Sequence, residues 1–525
     1  VEPRLAAAEA AYALFSEETA ELHWARALAD GATLAQQVHV AARRGSMARN
    51  RDDRDGMQAA VDELDRLRAL CAQHPDTAEA GLDAAIEAAD LRSLMSACAE
   101  ALSGIDAVLA ALPAHSGGPE LRRARALLVR SQALNGCGRP GEGAAAGEAA
   151  LALDNLPLAL QGRLLHSIVY AHFLDSRIGD ALAGAERTLL LWRSTGNRRS
   201  IARAHANIGL MSSQLGRHDV AKREMGHALA LAREMRMHEL EREVLLNLAY
   251  MDLQEGQPQA ALDALESAWN ASPTFADSST PVFIRGMQVH GHAHQGQLGL
   301  ALSLAEDAHR RAVELDESHA LTDCVSMILD LATDSGDFAL AERWVASLPA
   351  RERMESQYRT KLVFNLVHLA LVRGDLAGAE AELQTLGDVA ALSQPYDRCY
   401  AALRHAELSL ARGDGDGALA WLARGQPDAT HIEARALMLA ARMRALALLE
   451  GAARSAEADA DAARAEAAAL LGGPATVPAF AALALCEACG FERADRVRRL
   501  AGSLDVRPAA RESFLARWAA QGLQR

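Results

Sequence analysis

Lysine is almost absent from this chain: of 54 basic residues only Lys222 and Lys361 are lysines. Aromatic residues are scarce too, at 4%. Together with a modest share of Val, Ile and Thr, that scarcity argues against a β-rich fold. No apolar run approaches the roughly 18–20 residues that a membrane-spanning helix needs. The seven cysteines (71, 98, 137, 324, 399, 486 and 489) are odd in number and follow no framework spacing. A disulfide scaffold is therefore excluded and a reducing compartment is expected.

Basic character is missing as well. The net charge is −15, which argues against binding driven by nucleic-acid phosphates. Arg43, Arg44, Arg49, Arg51 and Arg54 form a local group interleaved with Asp52, Asp53 and Asp55, and it reads as a solvated turn. Neither this group nor Arg496, Arg498 and Arg499 is expected to contact nucleic acid. The start Val-Glu-Pro-Arg has no signal-peptide character, so a soluble cytoplasmic protein with no membrane partner is expected. Arginine in place of lysine, with abundant Ala and Gly, fits a GC-rich bacterial genome.

Catalytic signatures are lacking too. No phosphate-binding glycine loop, no GxSxG and no nucleophile–histidine arrangement stands out. Cys486-Glu-Ala-Cys489 is a lone CxxC in a helical context, without the βαβ setting of a thioredoxin-like redox pair. The expectation is a non-enzyme with no catalytic residues and no cofactor.

What the chain does have is Ala and Leu, the composition of closely packed helices, and a glycine that returns at nearly constant distance. Gly138, Gly216, Gly256, Gly296, Gly336, Gly374, Gly413, Gly451 and Gly490 form the series. From Gly216 the steps are 40, 40, 40, 38, 39, 38 and 39 residues, and the missing member between Gly138 and Gly216 falls at Ser176. A fixed period in this range marks stacked repeats, each burying its apolar face only against its neighbours.

Within a unit the offsets have physical reasons. Glycine at the end of a helix adopts the left-handed conformation almost freely. Five residues later comes a small residue, at Ala221, Ala261, Ala301, Ala341, Ala379, Ala418 and Ala456, where a larger side chain would push two helices apart. A second small position recurs at Ala228, Ala268, Ala308 and Ala463. Asp219, Asp337, Asp375 and Asp414 are expected to cap or turn the chain into the second helix.

This pattern resembles the tetratricopeptide repeat in a long-period variant, similar to the solenoid of the maltose-type bacterial transcription activators. The resemblance implies an all-α solenoid of about 10–12 helix–turn–helix repeats wound into a right-handed superhelix. Clear units start near Ala124, Gly162, Ala202, Arg242, Val282, Thr322, Thr360, Cys399, Leu437 and Thr476. Residues 1–120 are expected to form an N-terminal helical region with one helix over 3–29 and degenerate repeats at 34–75 and 77–113. Residues 121–505 then form the regular solenoid. Residues 506–525 form a capping helix in which Phe514, Leu515 and Trp518 cover the last apolar face. The stretches 113–119, 270–281 and 472–478 read as loops between repeats.

The resemblance also implies that the first helices line a concave groove. The residue before the apolar–small pair would face it: Asn207, Asn247 and Asn365. An asparagine can grip a peptide amide through both its donor and its acceptor. Tyr170, Tyr250, Tyr400, Phe173, Phe283 and Phe364 fall at groove offsets, where rings give contact area at small entropic cost. Arg163 and Arg203 would receive a carboxylate. His290 and His294 share a helix face but lack a third ligand and the HExxH pattern, so they read as a polar groove wall and not a metal site. Asp323, Asp330 and Asp334 form an acidic stretch that suits a basic partner segment.

The expected function is a protein-interaction module that binds a peptide or protein in this groove. One alternative is a regulatory sensor that receives a small ligand or signalling peptide and acts through another chain. Its only candidate DNA-reading segment, residues 32–50, lacks a turn. A scaffold for a multi-enzyme complex is the other alternative.

Overall fold

A computed structural model describes residues 1–13, 16–50, 53–95, 97–112, 120–175, 177–271, 280–315, 318–348, 356–392, 395–425, 431–449, 454–504 and 508–518. All regular structure among these residues is helical. None of these helices is long and apolar enough to cross a membrane. The chain forms two compact units, residues 1–215 and 216–525.

The first unit runs α1 (Glu2–Ala13), α2 (Glu17–Ala29), α3 (Leu34–Asn50), α4 (Arg54–Cys71), α5 (Ala78–Leu94) and α6 (Cys98–Ala111). It continues through α7 (Glu120–Gly136), α8 (Pro140–Leu151), α9 (Leu158–Leu174), α10 (Ile178–Thr195) and α11 (Arg198–Gln214). The second runs α12 (His218–Glu234), α13 (His238–Gln254), α14 (Pro258–Asn270), α15 (Thr280–His294), α16 (Leu298–Glu314), α17 (Ser318–Ser335), α18 (Phe338–Val345) and α19 (Ser356–Val372). It ends with α20 (Leu376–Gln384), α21 (Pro395–Ala411), α22 (Gly415–Leu422), α23 (Ile432–Leu449), α24 (Arg454–Gly472), α25 (Ala479–Cys489), α26 (Ala494–Ser503) and α27 (Pro508–Trp518).

Within each unit the helices pair as tetratricopeptide-like hairpins, most of them packing on the next element in the chain. The turns carry the repeat. Gly216, Gly256, Gly296, Gly336, Gly374, Gly413 and Gly490 all have φ between 70° and 79°. That conformation costs a side-chain-bearing residue about 1–2 kcal/mol. Ser176 and Gly451 lie outside the described residues. The small positions are fully buried: Ala221, Ala261, Ala301, Ala341, Ala379 and Ala418 are all 0% exposed. Asp337, Asp375 and Asp414 cap the second helices, accepting the amides of Leu340, Gly378 and Gly417. Asp219 does not cap: α12 already begins at His218, so Asp219 sits in its first turn, where its charge favours the helix N-terminus.

Two expectations are corrected. Residues 3–29 form two helices, because Ser16 and the acidic Glu17 and Glu18 start a new one; Trp24 is buried beside Tyr12 between them. The arginine group near residue 50 is not a solvated turn. Arg43, Arg44 and Arg49 project from α3 to Glu9, Glu21 and Asp90, and Asp53 caps α4. Residues 34–50 are one unbroken helix, with no turn for DNA reading.

Within each unit the first helices of successive hairpins touch one another directly. In the first unit α3, α5, α7 and α9 form such a row, and in the second α13, α15, α17, α19, α21, α23 and α25 do. The second helices pack mainly on the first helices that flank them. First helices therefore take the short, inner side of the curve. In the second unit the curve meets its own beginning. The Thr476 amide donates to the Gly256 carbonyl (2.7 Å), and Leu298 N donates to Ser503 Oγ (3.2 Å). Leu483, Leu500 and Phe514 join one core with Val282, Ile328 and Leu340. The terminal helix thus covers an apolar face through Phe514, while the side chain of Trp518 lies outside the described set.

Candidate functional site

In the first unit the inner face of α9 and α11 carries Arg163, His166, Tyr170, Arg203 and Asn207. Tyr170 is 49% exposed. Asn207 Nδ2 donates to His166 Nδ1 at 3.2 Å. Enclosure by protein, with the charges of Arg203 and Arg163, pushes His166 down to about 4. At neutral pH that imidazole is uncharged. Arg163 does not stand open for a carboxylate, because it reaches Asp90 at 3.4 Å, and Arg49 holds the same group at 3.5 Å. Phe173 is half-buried against the core around Val169 and Leu182, so its ring packs between helices.

The second unit builds a larger face. Tyr250 on α13 is 47% exposed and Phe283 on α15 is 38% exposed. His290 is exposed and His294 half-buried, one turn further on. Enclosure lowers both imidazoles, His294 to about 3. They gather no third ligand atom at metal-binding distance among the described residues. Asn247 is half-buried and makes no side-chain hydrogen bond among the described residues. Asn365 is already used: its Nδ2 donates to the Ser326 carbonyl at 2.9 Å, tying α19 to α17. Phe364 and Tyr400, expected on the groove surface, are 3% and 7% exposed. Their rings lie 6.1 Å apart and fill the seam between α19 and α21.

Farther round the same face lies a set of charges. Asp323 meets Lys361 (3.8 Å), Asp334 meets His368 Nε2 (2.8 Å) and Glu407 meets Arg404 Nη1 (2.7 Å). Burial would discharge Arg404, but Glu407 holds it charged. Its Nε also donates to the Phe364 carbonyl at 3.1 Å. Asp330, Asp397 and Glu433 form no ion pair within 4 Å among the described residues. Desolvation and the neighbouring Asp334 raise Asp330 to about 6; desolvation and the charges of Asp330 and Asp334 raise Glu433 to about 7. Tyr396 is the hub. Its ring lies tilted against Tyr400 with centroids 4.5 Å apart, and burial, with the nearby carboxylates of Glu433 and Asp330, raises its hydroxyl well above the ordinary value. Tyr250 in turn senses Lys361 and Asp397.

Of this set the aspartates of α17, Tyr250, Phe364 and Tyr400 were singled out from the sequence. Tyr396, Asp397, Arg404, Glu407 and Glu433 were missed. One signal was available: an arginine directly after the small, apolar run Cys399–Leu403, on a first helix, needs a buried partner three or four residues away.

No protein-family model matches the chain, and no curated protein matches it. Among solved structures, the apo form of RapI superposes with a TM-score of 0.46 at 12% identity, covering 66% of this chain and 95% of RapI. NprR in complex with its cognate peptide NprX gives 0.43 at 13% identity, covering 58% of this chain and 89% of NprR. Yeast Tom70 gives 0.34 at 12% identity, covering 92% of this chain and 95% of Tom70.

Proposed function

We propose that this chain is a non-enzymatic binding protein that takes an extended peptide, or an extended segment of a partner protein, along the inner face of its first helices. The observation that carries the reading is the exposure of Tyr250 and Phe283 on successive first helices, in a chain that is only 4% aromatic. Rings left uncovered on a curved, pre-formed wall offer contact area with little ordering to be lost on binding. Asn247 makes no side-chain hydrogen bond among the described residues and lies one turn before Tyr250 on the same helix, so its amide is free to pair with a peptide backbone. The closing of the second unit on itself favours a short peptide over a folded partner. That supports a receptor acting through another chain more than a scaffold.

Selection of random twelve-residue peptides on the full chain tests this. Selected peptides should bind wild type and lose at least tenfold affinity for a folded Asn247→Ala/Tyr250→Ala/Phe283→Ala variant. Peptides that bind both proteins equally would move the site off this face.

A further inference from the structure

A cavity of about 290 Å³ opens between the second helices α14 and α16 and the start of α15. Its volume falls at the lower end of what small-molecule sites enclose. Trp269, Pro281 and Val282 form its apolar side. Arg285 enters it from α15; two residues after Phe283, it projects from the other side of that helix. The cavity is therefore separate from the peptide face proposed above, and nothing about it depends on that reading.

Three guanidiniums share two carboxylates here. Arg311 pairs with Glu314 at 3.0 Å, while Arg310 and Arg285 both turn to Asp307, at 3.6 and 3.9 Å. One positive charge is left over, in a chain whose net charge is −15. Arg285 is the cation held in place. Its Cζ lies 4.4 Å from the centre of the Trp269 ring, and its Nη1 donates to Gln288 Oε1 at 2.9 Å. Its Nε is buried and donates no hydrogen bond among the described residues. Asp307 Oδ2, at 3.9 Å, stands beyond hydrogen-bond length. A buried N–H without an acceptor is costly to a fold. Set in the wall of a cavity, it points to an acceptor that the described residues do not supply.

The guanidinium also says which acceptor fits. With Nη1 bound to Gln288, the edge that remains is that of Nε and Nη2, whose two parallel N–H bonds match the two oxygens of a carboxylate. The apolar side beside that edge suits a ring more than a bare inorganic ion. We infer that this cavity binds a small aromatic carboxylate, its oxygens on Nε and Nη2 of Arg285 and its ring against Trp269, Pro281 and Val282. The bound acid gives the buried Nε its acceptor and neutralises the surplus charge.

Isothermal titration calorimetry on the full chain tests this with benzoate, phenylacetate, 1-naphthoate and indole-3-acetate, each beside its neutral amide, and with inorganic phosphate. At least one acid should bind wild type, and its amide should bind at least tenfold more weakly. Arg285→Gln and Arg285→Lys, with helicity checked by circular dichroism, should both weaken that acid at least tenfold, because lysine keeps the charge but not the fork. Arg498→Gln, which removes an exposed charge from α26, should change it less than twofold. Hydrogen exchange on wild type locates the site without any variant: the bound acid should protect α15 and the second half of α16 more than α21. Binding by none of the acids overturns the proposal, as does equal binding of acid and amide. Tighter binding of phosphate than of every acid overturns it too, since the site would then read charge and not the ring. An acid that binds Arg285→Gln as tightly as wild type, or protects only other helices, overturns the assignment to this cavity. The peptide reading stands or falls by peptide selection, whichever of these results is found.

Discussion

The amide of Thr476 donates to the carbonyl of Gly256 at 2.7 Å, pinning the loop before α25 to the turn between α13 and α14. A β-carbon added at Gly256 would come within 2.8 Å of the Thr476 carbonyl oxygen and 2.9 Å of its nitrogen. Gly374 has the same left-handed conformation but open space around it. The two glycines thus separate the intrinsic cost of the turn from the cost of breaking the closure. Gly374→Ala is expected to lose about 1–2 kcal/mol through backbone strain alone. Gly256→Ala should lose clearly more, and should speed hydrogen exchange in α25 and α26 as well as in its own hairpin. Equal losses in urea unfolding would show that the Gly256–Thr476 contact adds no stability.

The contrast between these glycines also marks what could be read in advance. The period, the turn positions and the small residues follow from local rules: a helix end needs the left-handed conformation, and a close helix pair needs a methyl. Each leaves a trace in the chain at fixed spacing. Closure leaves none, because Gly256 and Thr476 obey the same repeat rules whether or not they meet. The cluster around Tyr396 was hidden for a related reason. Asp330, Tyr396 and Glu433 come from three different repeats, and only the curvature of the unit brings them near one another. The helix break at Ser16 was legible and was missed, since a serine before two acidic residues is an ordinary helix start.

Phe514 is the deepest side chain of the terminal helix, at 0% exposure, and belongs to the core shared by Leu483, Leu500 and Ile328. Phe514→Ala is expected to cost about 3–5 kcal/mol in the second unit, from lost transfer energy and the cavity left behind. Because α27 packs on α17, increased exchange should appear in α17 before it appears in α21. A loss below about 1 kcal/mol would mean that the terminal helix contributes little to the unit.

The raised carboxylates predict a pH dependence of stability. With Asp330 at about 6 and Glu433 at about 7, the folded chain keeps protons that an unfolded chain releases near pH 4. These groups therefore destabilise the fold progressively as pH rises from about 4 to about 7. They face Asp334 and Glu407, which add to the effect, and Arg404, His368 and the Tyr400 hydroxyl, which oppose it. His166 and His294 act in the other direction, because their lowered values favour the fold as pH rises toward 6.5. The carboxylate part is isolated by difference. Asp330→Asn/Glu433→Gln should gain in Tm over wild type by about 2–4 °C more at pH 8 than at pH 5, the shift expected of roughly 1 kcal/mol. A gap that stays constant with pH would rule out the raised values.

Asn247 and Asn365 occupy equivalent places in their repeats, and the fold treats them differently. Asn365 spends its amide on the Ser326 carbonyl at 2.9 Å, linking two inner helices. Asn365→Ala should therefore cost about 1 kcal/mol of stability, the net worth of one such hydrogen bond. Asn247 has no such bond among the described residues, so Asn247→Ala should leave stability within about 0.5 kcal/mol of wild type. If Asn247 holds a peptide amide, that same substitution weakens peptide binding by roughly three- to tenfold, the equivalent of about 0.5–1.5 kcal/mol. Stability from urea unfolding and affinity from anisotropy, measured on both variants, should give opposite rankings. Asn247→Ala that destabilises the chain as much as Asn365→Ala, and leaves peptide affinity untouched, would assign both asparagines to the scaffold.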